Sequence, residues 1–167
     1  MIYILYGQPA SGKTTLGKLL ASHLDTPFII DGDEFREMFT NKNYGKEGRE
    51  ENIRNANAVA TYLNKKGKSD DWVCIYVREE PNSIKGISVN NETDVIMSLV
   101  NPYRRLRDEL KANNDGEVQE VLLVSERELR KEYHVEGFEA GNPNYTVITD
   151  GEVEDTWKQL KDLLKVQ

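Results

Sequence analysis

With 167 residues, 38% of them hydrophobic, the chain has enough apolar material for one domain with its own core and too little for two. A formal net charge of −7 argues against loose electrostatic attachment to nucleic acid or an anionic membrane, and no run approaches the roughly 18 apolar residues that a membrane span needs. The single cysteine, Cys74, excludes an internal disulfide, and an apolar run at the first residues leaves no space for a leader, so a soluble, cytoplasmic protein with a reduced thiol is expected.

A strand is predicted over Ile2–Leu5, and just beyond it stands Gly7-Gln8-Pro9-Ala10-Ser11-Gly12-Lys13-Thr14, a complete G-x-x-x-x-G-K-[ST] loop. Leu16, Leu19, Leu20 and Leu24 follow at helical spacing, which predicts a helix from Lys13 to His23. A glycine-bearing loop between strand and helix turns backbone N–H groups and a helix N-terminus toward an anion. Gly7, Ala10, Ser11, Gly12, Lys13, Thr14 and Thr15 are therefore expected to hold the phosphates of ATP, with Lys13 as a point charge and Thr14 as a magnesium ligand.

Phe28-Ile29-Ile30 predicts a second buried strand that delivers Asp31-Gly32-Asp33 at its carboxyl end, where open α/β sheets collect their ligand groups. Near a terminal phosphate, a carboxylate at this strand end suits either a magnesium ion held through water or the proton of an attacking hydroxyl, and Asp31 and Asp33 are the candidates for both. The competing reading makes Asp33 a helix cap for Glu34 to Phe39. The next helix is predicted from Glu47 to Lys65, ended by Gly67, because Ile53, Ala56, Ala60 and Leu63 share a face. Arg49, Asn52 and Ile53 also point one way, a set that fits a nucleotide-like anion, although Arg49 could equally pair with Glu50 on a solvated surface.

Residues 68–94 read as an inserted hairpin: Trp72 to Val77 has strand character, while Glu79 to Ser83 and Asn90 to Glu92 have turn character. Val95 to Val100 predicts another buried strand, and Asn101-Pro102 reads as a cap and first helical position for a helix ending near Asn113. Arg104 and Arg105 stand at that helix start, where the dipole disfavours cations. Val121 to Val124 and Tyr145 to Ile148 are two more strands. A last helix is predicted with Asp150 as its cap and Val153, Trp157, Leu160 and Leu164 on its apolar face. Strands alternating with helices imply an α/β fold of the P-loop NTPase type, three layers around a mainly parallel sheet, in a single domain over 1–167. His23 and His134 have no metal-ligand partner at suitable spacing.

The loop together with Asp31-Gly32-Asp33-Glu34-Phe35-Arg36, Arg49-Glu50-Glu51-Asn52-Ile53-Arg54, Asn101-Pro102-Tyr103-Arg104 and Gly137-Phe138 resembles the adenylyl-sulfate (APS) kinase family. The resemblance implies transfer of the ATP γ-phosphoryl group to the ribose 3′-hydroxyl of adenosine 5′-phosphosulfate, with magnesium, in a protein that is commonly dimeric. It implies that Arg36, Arg49 and Asn52 contact the sulfate and phosphate, with the Ile53 backbone close by. Tyr44 and Phe138 would stack on the two faces of the substrate adenine, and Asn101 and Pro102 would line its pocket. Asp31 and Asp33 would serve magnesium and the attacking hydroxyl. The chain departs from the family by Asn101 in place of serine, Tyr44 in place of phenylalanine, the insertion at about 68–94, and a lid shortened to about 127–144. These departures leave two other readings open: a P-loop kinase for another hydroxyl, on a small metabolite, a nucleoside or a polynucleotide end, and a nucleotide-binding module without chemistry. The acidic net charge speaks against a long nucleic-acid substrate.

Overall fold

The computed structural model describes residues 1–66, 74–80, 83–88, 93–127 and 129–166, with 74–80 and 83–88 described by their backbone. Five strands form one sheet: β1 (Ile2–Tyr6), β2 (Ile29–Asp31), β5 (Val95–Leu99), β6 (Val118–Val124) and β7 (Tyr145–Ile148), in the order β2-β5-β1-β6-β7. Every pairing in it is parallel. All the carboxyl ends therefore open on one edge of the sheet, with that of β1 in the middle. The helices are α1 (Lys13–His23), α2 (Gly32–Met38), α3 (Lys46–Lys66), α4 (Arg104–Asn113) and α5 (Val153–Leu164).

A strand buried on both sides splits its residues between two cores, because successive side chains leave opposite faces. Ile2, Ile4 and Tyr6 of β1 join Ile53, Ala56 and Ala60 of α3 and Leu106 and Leu110 of α4 on one face. Tyr3 and Leu5 join Leu16 and Leu20 of α1 and Leu160 of α5 on the other. Truncating a fully buried residue such as Leu106 to alanine costs about 2–5 kcal/mol, from lost transfer energy and the cavity left behind. No helix among the described residues is long and apolar enough to cross a membrane.

Residues 68–94 contain the expected hairpin, β3 (Cys74–Glu80) paired antiparallel with β4 (Ser83–Ser88), and Glu79, Glu80 and Ser83, read as turn, belong to its strands. Gly67, Trp72, the Cys74 side chain and the turn at Asn90 to Glu92 lie outside the described residues.

Three predicted helix starts are corrected. Asn101 does not cap α4: its φ is +38°, in the left-handed region, and Tyr103 occupies the cap position. Asp150 does not cap α5, whose cap position is Glu152, because the Asp150 carboxylate accepts from Ser125 Oγ at 2.7 Å and from the Glu126 N–H at 3.0 Å. Helix α2 begins at Gly32 instead of Glu34, since Asp31 caps it. Val153, the first residue of α5, is exposed and does not join the apolar face, whereas Trp157 packs against the second core with its ring edge-on to His23.

Candidate active site

The loop after β1 is shaped by two glycines. A Cβ on Gly7 would lie 2.3 Å from the Leu123 carbonyl oxygen, and Gly12 sits at φ +84° as the residue entering α1. Ser98 Oγ, on β5, donates to the Lys13 carbonyl at 3.1 Å and so pins the first turn of α1 to the sheet. Lys13 Nζ donates to the Gln8 carbonyl at 2.6 Å and to Ser11 Oγ at 3.3 Å. Burial pushes the Lys13 ammonium down to about 8, with Asp33 and Asp31 partly opposing the shift.

Asp31 does two things. One carboxylate oxygen accepts from the Asp33 N–H at 3.0 Å, capping α2, and the other accepts from Thr14 Oγ1 at 2.7 Å. The capping role weighed for Asp33 thus belongs to Asp31, and Asp33 faces the cavity beside it. Two hard oxygen ligands in contact, next to a loop built for phosphates, fit magnesium, which takes few protein ligands and keeps waters and phosphate oxygens for the rest.

Lys13, Thr14, Asp31 and Asp33 share a cavity of about 1000 Å³ with Arg36, Tyr44, Arg49, Asn52, Ile53, Asn101 and Pro102. Of the loop residues, Ala10, Gly12 and Thr15 also line it, whereas Gly7 and Ser11 do not and Ser11 is buried inside the loop. Arg36 donates to the Asn43 carbonyl at 2.9 Å and lies over the Tyr44 ring, 4.4 Å from its centroid, which covers one face of that ring. Burial lowers the Arg36 pKa, Tyr44 opposes it, and the positive charge of Arg49 lowers it further. Glu50 pairs with Arg105 instead of Arg49, and no carboxylate among the described residues forms an ion pair with Arg49. Two guanidiniums that repel each other across one cavity favour an anion between them. Asn52 spends its Nδ2 on the Gly32 carbonyl at 3.1 Å, so its free atom is the acceptor Oδ1, which suits an N–H or O–H partner better than a sulfate.

Phe138 is not brought to this cavity. Its ring stacks on Tyr6, 6.2 Å between centroids and 16° between planes, and it packs against the first core. The cavity wall on that side is made by Arg130, Glu132, Tyr133, His134 and Val135, around a short 3-10 helix at Lys131–Tyr133. Sequence reasoning missed these residues, since nothing periodic marks them. It also missed their tether: the Gln8 carboxamide donates to the Val135 carbonyl at 3.0 Å and accepts from the Val135 N–H at 2.9 Å, clamping the segment around Val135 to the loop after β1.

Arg107 was missed too. It is fully buried, sits 4.2 Å over the Tyr6 ring, and donates to the carbonyls of Asn101 at 2.7 Å, Glu139 at 2.7 Å and Ala140 at 3.2 Å. Glu120, buried beneath it, lies 3.6 Å from Arg107 Nε and 3.2 Å from Lys111 Nζ. Arg104 and Arg105 find carboxylates, Asp108 and Glu50 respectively, which offset the unfavourable dipole at the start of α4.

A five-stranded parallel sheet with the phosphate loop at its central strand and Asp31 on the neighbouring strand end decides the architecture. The fold is that of the P-loop kinases. The family described as AAA domain matches residues 6–73, from the end of β1 past α3, a span shorter than half of the chain. A curated adenylate kinase from Hydrogenobaculum sp. (strain Y04AAS1) is 25% identical over 211 residues, covering 98% of this chain and all of its own. The Mycobacterium tuberculosis APS kinase in complex with AMPPNP and APS superposes with a TM-score of 0.69 at 16% identity, over 98% of this chain and 96% of that one. Shikimate kinase from Aquifex aeolicus gives 0.61 at 16%, over 99% and 96%.

Proposed function

We propose that this protein is an ATP-dependent kinase whose acceptor is the 3′-hydroxyl of adenosine 5′-phosphosulfate. The observation that carries the reading is the convergence of Arg36 and Arg49 on the cavity that also holds Lys13, Thr14, Asp31 and Asp33. A phosphate grip and a second, separate anion grip share one space, as transfer between two anionic nucleotides requires.

In the reaction the acceptor oxygen bonds to the γ-phosphorus of ATP as the bridging oxygen leaves with ADP, and the hydroxyl proton passes to Asp33. Lys13 moves from the Gln8 carbonyl to the phosphates and neutralises charge on the leaving side. Thr14 and Asp31 would hold magnesium, which supplies electrostatic stabilisation of the phosphate oxygens when bound. Arg36 and Arg49 orient the acceptor through its phosphosulfate, and Tyr44 offers its uncovered ring face to the base.

Purified protein, ATP, magnesium and APS are expected to yield the 3′-phosphorylated product and ADP, with Lys13→Ala and Asp31→Ala each lowering turnover by about 100-fold or more. ATP consumption that does not depend on APS would overturn the reading. A second reading keeps the kinase and changes the acceptor to another hydroxyl compound; the stacking of Phe138 on Tyr6, which takes the expected base-stacking ring out of the cavity, favours it. A labelled-ATP screen across APS, nucleosides, small polyols and oligonucleotides separates the two.

A further inference from the structure

Gln8 stands inside the loop after β1, yet its neighbours Pro9 and Ala10 line the cavity and it does not. A loop that grips phosphate through backbone N–H groups leaves this side chain free for other work. Here the carboxamide meets both polar groups of one distant residue: Nε2 donates to the Val135 carbonyl at 3.0 Å and Oε1 accepts from the Val135 N–H at 2.9 Å. Turning the carboxamide over would set donor against donor and acceptor against acceptor, so the pairing fixes its orientation. Two bonds side by side fix direction as well as distance, so Val135 follows residue 8 when residue 8 moves. At the other end of the link, the Gln8 carbonyl accepts from Lys13 Nζ at 2.6 Å and from the Ser11 N–H at 3.3 Å, which ties residue 8 to the interior of the loop.

Val135 and His134 line both the 1000 Å³ cavity and a second cavity of about 820 Å³ that reaches Lys46, Arg104 and Arg105. They are a partition between the two spaces. Past Val135 the segment is anchored away from the loop, since the Glu139 N–H donates to the Pro102 carbonyl at 2.9 Å and Phe138 stacks on Tyr6. We propose that Gln8 is a positioning residue that couples the loop to this partition: whatever orders or loosens residue 8 passes through the carboxamide to Val135 and His134. The inference rests on the loop taking phosphates, as proposed above, and adds the residue through which filling the loop sets the far wall of the cavity. Such a coupling is reciprocal, so a ligand held against the partition favours phosphate in the loop.

The test reads hydrogen exchange of the Tyr133 and His134 amides by nuclear magnetic resonance on the full chain. Both are bonded inside the segment itself, to the Arg130 and Lys131 carbonyls at 2.9 and 3.0 Å, so they report the partition without being partners of Gln8. Exchange of the Leu5 amide, in the central strand, checks that each variant is folded. In the free protein, Lys13→Met takes one donor from the Gln8 carbonyl and is expected to quicken both amides by about fivefold. Gln8→Ala is expected to quicken them at least as much, and the double variant no more than Gln8→Ala alone. Effects that multiply, or no effect of Lys13→Met, would overturn the coupling, because a tether with a purely structural role acts independently of Lys13. Magnesium tripolyphosphate, which carries phosphates without base or sugar, is expected to slow both amides by about fivefold in the full chain and by less than twofold in Gln8→Ala. Equal slowing in the two proteins would mean that phosphate reaches the partition directly and would overturn the role of Gln8. Binding of tripolyphosphate with no change at these amides would overturn the coupling and leave the kinase reading standing. No binding of either tripolyphosphate or ADP would overturn both.

Discussion

The Lys13 ammonium ties the proposed binding of ATP to pH in a direction that follows from its surroundings. Its pKa falls from 10.5 to about 8 in the free protein because burial outweighs the attraction of Asp33 and Asp31. At 1.36 kcal/mol per unit this amounts to about 3 kcal/mol of disfavour for the charged form. A lysine whose folded pKa is depressed binds fewer protons folded than unfolded between the two values, so the free protein gains stability as pH rises from about 8 to 10.5 and carries the whole cost below 8. A triphosphate beside Nζ restores the preference for the cation, so above pH 8 binding must take up a proton. Affinity for ATP is then expected to fall by up to about tenfold per pH unit above 8. Calorimetry at pH 7 to 9.5, in buffers of different ionisation heat, should show proton uptake rising from near zero toward one. Lys13→Met gives the control: it removes the uptake, subtracts the nucleotide's own protons, and stabilises the free protein at pH 7 by at most about 3 kcal/mol. Uptake that is absent, or that persists in Lys13→Met, would refute the assignment of the depressed pKa to this side chain.

Arg107→Met should destabilise the protein by about 3–5 kcal/mol in urea unfolding, because it takes the side-chain donor from the Asn101 and Glu139 carbonyls and leaves Glu120 buried with Lys111 as its remaining partner. Adding Glu120→Gln should recover part of that loss, and a loss below about 1 kcal/mol would show that the network is not tightly satisfied. Asp31→Asn separates two roles of one residue: asparagine caps helices as well as aspartate does, so stability should hold to within about 0.5 kcal/mol, while magnesium-dependent turnover falls by about 100-fold. Gln8→Ala removes both bonds to Val135, and hydrogen exchange of the Val135 amide should quicken by about tenfold with global stability nearly unchanged; equal protection in the variant would mean that the segment around Val135 is held elsewhere.

The phosphate side of the cavity was legible because its determinants are contiguous. Residues 7–14 carry the loop pattern, the apolar run before it fills both cores by simple alternation, and Ile53, Ala56 and Ala60 announce the buried face of α3. Asn101-Pro102 reads locally as a helix start, but the Asn101 carbonyl is drawn in by Arg107, six residues on, and the chain takes a left-handed turn instead. Arg107 sits among charged neighbours in Arg104-Arg105-Leu106-Arg107-Asp108, and only the Tyr6 face, Glu120 and the returning carbonyls of Glu139 and Ala140 make it a core residue. Phe138 is withdrawn from the cavity by the same Tyr6, whose hydroxyl donates to Ala140 at 2.5 Å. Asp150 reads as the cap of α5, but the loop after β6 claims its carboxylate, and Glu152 takes the cap position without a side-chain cap bond. Apart from the turn at Asn101, these departures come from contacts between segments far apart in the chain, and several converge on Tyr6, Arg107 and the segment at 138–140. The phosphate loop is thus encoded by a local motif, whereas the opposite wall of the cavity is set by tertiary contacts, so a change at Arg107 should disturb the proposed acceptor side more than the proposed binding of the triphosphate.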